Sequence, residues 1–124
     1  MAKRKPRRAK KPKRSGRKTR GAAGRKLPKN AVTLTVILRA REGQETLLEA
    51  ELRALVSPSR REAGCLTYNL HRSMDTPVAH LLHEVWASRE AHTEHTHTRH
   101  FLRWNARKDA LLASREANFW KQIV

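Results

Sequence analysis

Between Glu84 and Phe101 the chain reads Glu-Val-Trp-Ala-Ser-Arg-Glu-Ala-His-Thr-Glu-His-Thr-His-Thr-Arg-His-Phe and holds four of its seven histidines. Histidine titrates nearest neutral pH and binds transition metals, so this stretch offers either acid–base chemistry or a metal site. His92 and His95 stand at i, i+3 spacing, which puts them on one side of a helix turning about 100° per residue; His97 points away from both. His100 falls beyond a second capping threonine, so its direction does not follow from helical geometry. A zinc or nickel site draws support from the spacing. Against it, the chain has no His-Glu-x-x-His sequence and a single cysteine, and one short helix cannot turn all four imidazoles inward. The plain alternative is a surface helix on which His92 and His97 face solvent, with His95 and His100 packing or capping.

The elements that must position these groups can be read from periodicity. Ala31–Ala40 is rich in β-branched residues and has strand length, with Leu34, Val36 and Leu38 on one face and Thr33, Thr35 and Ile37 on the other. A helix is expected from about Gln44, with Leu48, Leu52, Leu55 and Val56 on its apolar side. Pro58 should end or bend it. Cys65–Arg72 and Val78–Trp86 read as two strands of a hairpin around Asp75-Thr-Pro77. In the second of these, Leu82, Glu84 and Trp86 alternate with Leu81, His83 and Val85. His83 is then either a pocket group or a satisfied core residue.

Ser88 is a good helix N-cap and Thr98 can cap a second helix, with Phe101, Trp104, Leu111 and Leu112 as its apolar side. Asn118–Val124 reads as a last strand. The order β-α-β-β-α(α)-β is that of a ferredoxin-like α+β fold, an antiparallel sheet with helices on one face. The other face retains apolar residues and calls for a second covering, which a sheet-to-sheet homodimer supplies.

Composition divides the chain in two. Residues 1–30 hold fifteen of the 28 Lys/Arg and none of the 11 Asp/Glu, so +15 of the formal +17 lies there. That segment is expected to be a disordered basic tail, either contacting nucleic acid nonspecifically or without part in the chemistry, or else the product of a start assigned too early; the alternative function is a non-catalytic dimeric module whose tail binds nucleic acid. It carries no aromatic residue for base stacking. Residues 31–124 form one nearly neutral domain. The lone Cys65 precludes an internal disulfide and is expected to be a small buried hydrophobe rather than a nucleophile. No apolar run reaches membrane-spanning length, and no apolar stretch follows the basic N-terminus to make a secretory signal, so a cytoplasmic location is expected.

Taken together, Ala40-Arg-Glu-Gly43, Gly64-Cys-Leu-Thr-Tyr-Asn-Leu-His-Arg72, Glu84-Val-Trp-Ala-Ser-Arg-Glu-Ala91, His95 and His100-Phe101 resemble the antibiotic biosynthesis monooxygenases, the group that includes quinol monooxygenases. The resemblance spans residues 31–124. It implies a dimeric α+β barrel that oxidises a quinol or phenolic substrate with molecular oxygen, without flavin or metal. Haem degradation, found in related members, is disfavoured: no asparagine lies within Val32–Leu38, and His95 stands where a tryptophan would be sought. The resemblance points to His95 and His100 as the catalytic pair, with His95 the proton acceptor and Trp86 a pocket wall. Tyr68, Asn69 and Arg72 are candidate donors to a developing anion, and His83 a candidate pocket group.

Overall fold

The computed structural model describes residues 26–124. Strand β1 (Val32–Ala40) is followed by helix α1 (Glu45–Arg60), the hairpin β2 (Cys65–Arg72) and β3 (His80–Trp86), helices α2 (Arg89–His95) and α3 (Arg99–Leu111), and strand β4 (Leu112–Trp120). All pairings are antiparallel, in the spatial order β2-β3-β1-β4, so the expected ferredoxin-like topology is the one found. Most of the basic N-terminal segment lies outside the described residues. Its last part does not: a turn at Pro28–Ala31 leads into β1, and Lys121 Nζ donates to the Lys29 carbonyl. Among the described residues, no helix is long and apolar enough to cross a membrane.

The alternation along β1 decides which face is covered. Leu34, Val36 and Leu38 are buried against Leu48, Leu52 and Leu55 of α1, and Trp104 and Leu111 of α3 complete the core. Each fully buried leucine contributes roughly 1.5–3 kcal/mol. Strand register carries the same face outward from β1, so Leu82, Glu84 and Trp86 of β3 and Tyr68 of β2 also point toward the helices. The opposite face, with Thr33, Thr35, Ile37, Leu81 and His83, has no layer over it among the described residues. There Trp120 lies across β1 and donates its indole N–H to Thr35 Oγ1 at 2.7 Å.

Three boundaries differ from expectation. Helix α1 runs past Pro58 to Arg60, because the proline sits in the final turn. There i→i+3 bonds from Arg61 to Pro58 and from Glu62 to Ser59 replace regular helix bonding. Helix α2, expected from its Ser88 cap to continue to about Thr98, stops at His95, with Thr96 as its C-cap. Leu112 belongs to β4 rather than to a helix, so the last strand starts six residues before Asn118 and stops at Trp120. As an edge strand exposed along nearly its whole length, β4 has no apolar alternation to announce it, and backbone pairing with Thr33–Ala40 holds it.

Candidate active site

Both predicted caps form: Ser88 Oγ accepts from Ala91 N–H at 3.0 Å and Thr98 Oγ1 from Phe101 N–H at 3.3 Å. They fix two short helices end to end, and the junction delivers His95 and His100 to a single acceptor. Glu62, in the turn after α1, receives both: His95 Nδ1 and His100 Nε2 each lie 2.6 Å from Glu62 Oε2. Glycine is required at position 64 for this arrangement. A Cβ there would collide with the Ala91 Cβ, so the start of β2 and α2 approach only because Gly64 has none.

The shared carboxylate oxygen sets the histidine tautomers. An acceptor-only oxygen between two nitrogens requires N–H at His95 Nδ1 and at His100 Nε2, which leaves the lone pair of neutral His95 on Nε2. His95 is 1% exposed. Its ring packs on Trp86 at 4.5 Å between centroids, and on Phe101 and Tyr68 at 5.1 and 5.7 Å. Burial lowers its pKa, opposed by the bond to Glu62, and the neighbouring His100 lowers it further. His92 is pushed down to about 4, first by burial and then by His95, Arg89 and Arg115. Both imidazoles are therefore neutral at physiological pH, the form in which an imidazole accepts a proton.

Between the sheet and these helices lies a cavity of about 90 Å³. Leu34, Val36, Leu38 and Leu82 form its apolar floor, and Tyr68, Glu84, His92, His95, Phe101 and Arg115 bring chemistry or aromatic surface to it. Glu84 is 3% exposed, and Trp86 Nε1 donates to its Oε1 at 2.9 Å. Burial raises its pKa to about 7 against the opposing pull of the Trp86 bond and Arg115. Burial likewise raises the Tyr68 phenol far above its ordinary value, so it stays neutral at physiological pH.

The sequence-derived site residues fall into three groups. His95 and Tyr68 line the cavity. Trp86 is fully buried behind His95 as a stacking partner, and His100 stands beside the cavity, reaching the site through Glu62. Asn69, Arg72 and His83 do not come to it. Asn69 accepts from Arg60 at the sheet edge. Arg72 makes two bonds to Glu49, whose carboxyl is held well below its ordinary range by Arg72, His80 and Arg53. His83 pairs across from Thr35 on the uncovered face.

Cys65 is half-buried, and burial pushes its thiol up to about 12, so it has no thiolate character at neutral pH. Glu62, Glu84 and Arg115 were not among the expected site residues. Glu84 left a legible signal, an acid alternating with Leu82 and Trp86 on the buried face. Glu62 left none, because it sits in an irregular turn whose position depends on how α1 ends.

Glu62, His95 and His100 offer one oxygen and two nitrogens within 4.8 Å of one another, the donor set of a two-histidine, one-carboxylate metal centre. Their spacing is that of hydrogen bonds. Two ligands of one tetrahedral ion with bonds of about 2.0–2.1 Å stand roughly 3.4 Å apart, so the 2.6 Å contacts would have to open for an ion to enter.

Comparisons with known proteins agree with this architecture. Residues 31–107 match the family model described as antibiotic biosynthesis monooxygenase. Rv0793 of Mycobacterium tuberculosis, whose name assigns it monooxygenase activity only provisionally, is 36% identical over 72 residues, 58% of this chain and 70% of the relative. Its solved structure superposes with a TM-score of 0.72, covering 77% of this chain and 97% of that one. The crystal structure of PA3566 from Pseudomonas aeruginosa superposes with a TM-score of 0.74 at 37% identity, covering 77% of this chain and 96% of the other. The chain therefore belongs to the antibiotic biosynthesis monooxygenase family.

Proposed function

We propose that this protein is a cofactor-independent monooxygenase of small quinol or phenolic substrates, with His95 as the proton acceptor and molecular oxygen as co-substrate. The observation that carries the reading is a buried, neutral imidazole at the cavity wall whose Nδ1–H is fixed on Glu62. Oxygen accepts electrons one at a time, and a phenolate is a far better one-electron donor than its phenol. Removal of the phenolic proton is thus the activating step, and His95, which lines the cavity with Nδ1–H held on Glu62, would accept it on the lone pair of Nε2. Tyr68, held neutral, faces the same cavity as a hydrogen-bond donor for the anion.

At about 90 Å³ the cavity is smaller than the roughly 150 Å³ void known to admit benzene. The reading therefore favours a single-ring substrate, which enters as the half-buried His92 and Phe101 side chains move. The uncovered sheet face, with Ile37 and Leu81, is taken as the interface of a homodimer, which would close two sheets into one barrel.

Oxygen uptake with a panel of hydroquinones and single-ring phenols tests the activity. The expected result is substrate-dependent uptake matched by quinone formation, without added metal or flavin. Absence of uptake across the panel would refute the reading.

A further inference from the structure

Deprotonation by His95 accounts for only half of the proton traffic that such a reaction demands. For a phenol with a free para C–H the overall change is ArOH plus O₂ to quinone plus water. His95 takes the phenolic proton, and the phenolate passes one electron to oxygen. The phenoxyl radical and superoxide then couple at the para carbon, forming a C–O bond and a peroxide anion. That anion must gain a proton, or it falls back to radical and superoxide. Quinone formation next requires loss of the para proton as the O–O bond breaks, with hydroxide leaving. The site therefore needs a group that first gives a proton and then takes one back.

Building on the proposed oxygenase activity, we infer that Glu84 is that group, a carboxylic acid that protonates the peroxide and, as carboxylate, removes the para proton. Each proton is then accounted for. The carboxyl is restored, and the departing hydroxide takes the phenolic proton from His95 to leave as water.

The geometry separates the two roles. His95 is the last residue of α2, whereas Glu84 rises from the sheet opposite, and both line the same cavity. Trp86 anchors Oε1, while Oε2 has no hydrogen-bond partner among the described residues. A carboxyl on the buried face of a central strand contributes nothing to packing that leucine would not.

The surroundings raise its pKa to about 7, so the acid and carboxylate forms are both available near neutrality. Burial is the leading cause, with Glu62 and the Trp86 bond acting in opposite directions. The charged and titratable groups facing it are Arg115 of β4, Tyr68 and Cys65 of β2, His92 and His95 of α2, and Glu62 of the turn. Two titratable groups held apart in character by their environments are what acid–base pairing in one pocket requires.

The test compares oxygen consumed, quinone formed and hydrogen peroxide released by the wild type and Glu84→Gln. The amide retains an acceptor for Trp86 Nε1 but cannot exchange a proton. The expected variant still consumes oxygen, yet its quinone yield per oxygen falls at least tenfold and peroxide, from disproportionating superoxide, takes its place. Should the variant fail to fold, the wild type answers alone: yield should drop and peroxide rise as pH passes upward through neutrality. Wild-type yield in Glu84→Gln, or a wild-type yield flat across pH, overturns the role of Glu84 while leaving the oxygenase reading intact. A wild type that turns over no phenol overturns both.

Discussion

Glu62 Oε2 stands 2.6 Å from His95 Nδ1, and the same oxygen receives His100 Nε2 at the same distance. One carboxylate from the end of α1 thereby orients an imidazole from each of the two helices that follow. This is the logic of an orienting acid behind a catalytic histidine, reached without any local sequence motif.

Glu62→Gln should therefore impair turnover without removing substrate binding. An amide can offer an N–H to Nδ1 and so favour the tautomer with its proton on the wrong nitrogen. The expected loss is about 10²–10⁴-fold in kcat with little change in KM, by analogy with orienting acids elsewhere. Steady-state kinetics of the folded variant check it. Unchanged kcat would show that the 2.6 Å contact is structural alone.

Gly64→Ala should destabilise the domain, since the new methyl meets the Ala91 Cβ. Overpacking of this kind costs about 1–3 kcal/mol, which for a domain of this size lowers Tm by roughly 4–8 °C per kcal/mol. Adding Ala91→Gly should recover part of the loss, as measured by thermal denaturation. An unperturbed Tm in the single variant would contradict the close approach of β2 and α2.

The contributions of Glu49 and Glu84 to stability should run in opposite directions with pH. Glu49 has a depressed folded pKa, so its contribution is present above the unfolded value near 4.5 and is lost as pH falls below it. Glu84 has a raised one, so its contribution is present below about 4.5 and is lost as pH rises toward and through 7. Because His92 and His95, with lowered pKa values, gain stability over the same window, the Glu84 contribution is read from denaturation at pH 3 to 8 as the difference between wild type and Glu84→Gln, which should turn against the wild type between about 4.5 and 7. A difference that stays constant across that range would contradict it.

In the proposed homodimer a charge on the uncovered sheet face, as in Leu81→Glu or Ile37→Glu, would sit unpaired inside the interface and should shift the protein to monomer. Light scattering after gel filtration reads the mass directly. Identical masses for wild type and variants would place any interface elsewhere.

The strand and helix order was legible because β1 alternates cleanly and α1 keeps its leucines at helical spacing, and Ser88 and Thr98 announced both later helices. Strand β4 was legible only at its end, since exposed residues from Ala113 to Asn118 carry no burial pattern. Of the cavity, His95 and Tyr68 could be named from sequence, His95 because of its place in a resemblance rather than from any spacing. Asn69 and Arg72 looked like suitable donors by type alone. Register sends Asn69 to the uncovered face beside His83, and Glu49 draws Arg72 to the protein surface. Glu62 was invisible because its role depends on where a helix ends in space.

The central claim is that His95 takes the substrate proton, and the most direct measurement is the turnover of His95→Ala beside that of His97→Ala. The two histidines lie two residues apart, one buried on the cavity and the other exposed, with its Nδ1 on the Thr93 carbonyl. The account predicts a loss of about 10²-fold or more in kcat/KM for His95→Ala, and wild-type oxygen uptake for His97→Ala. Full turnover by a folded His95→Ala would contradict it.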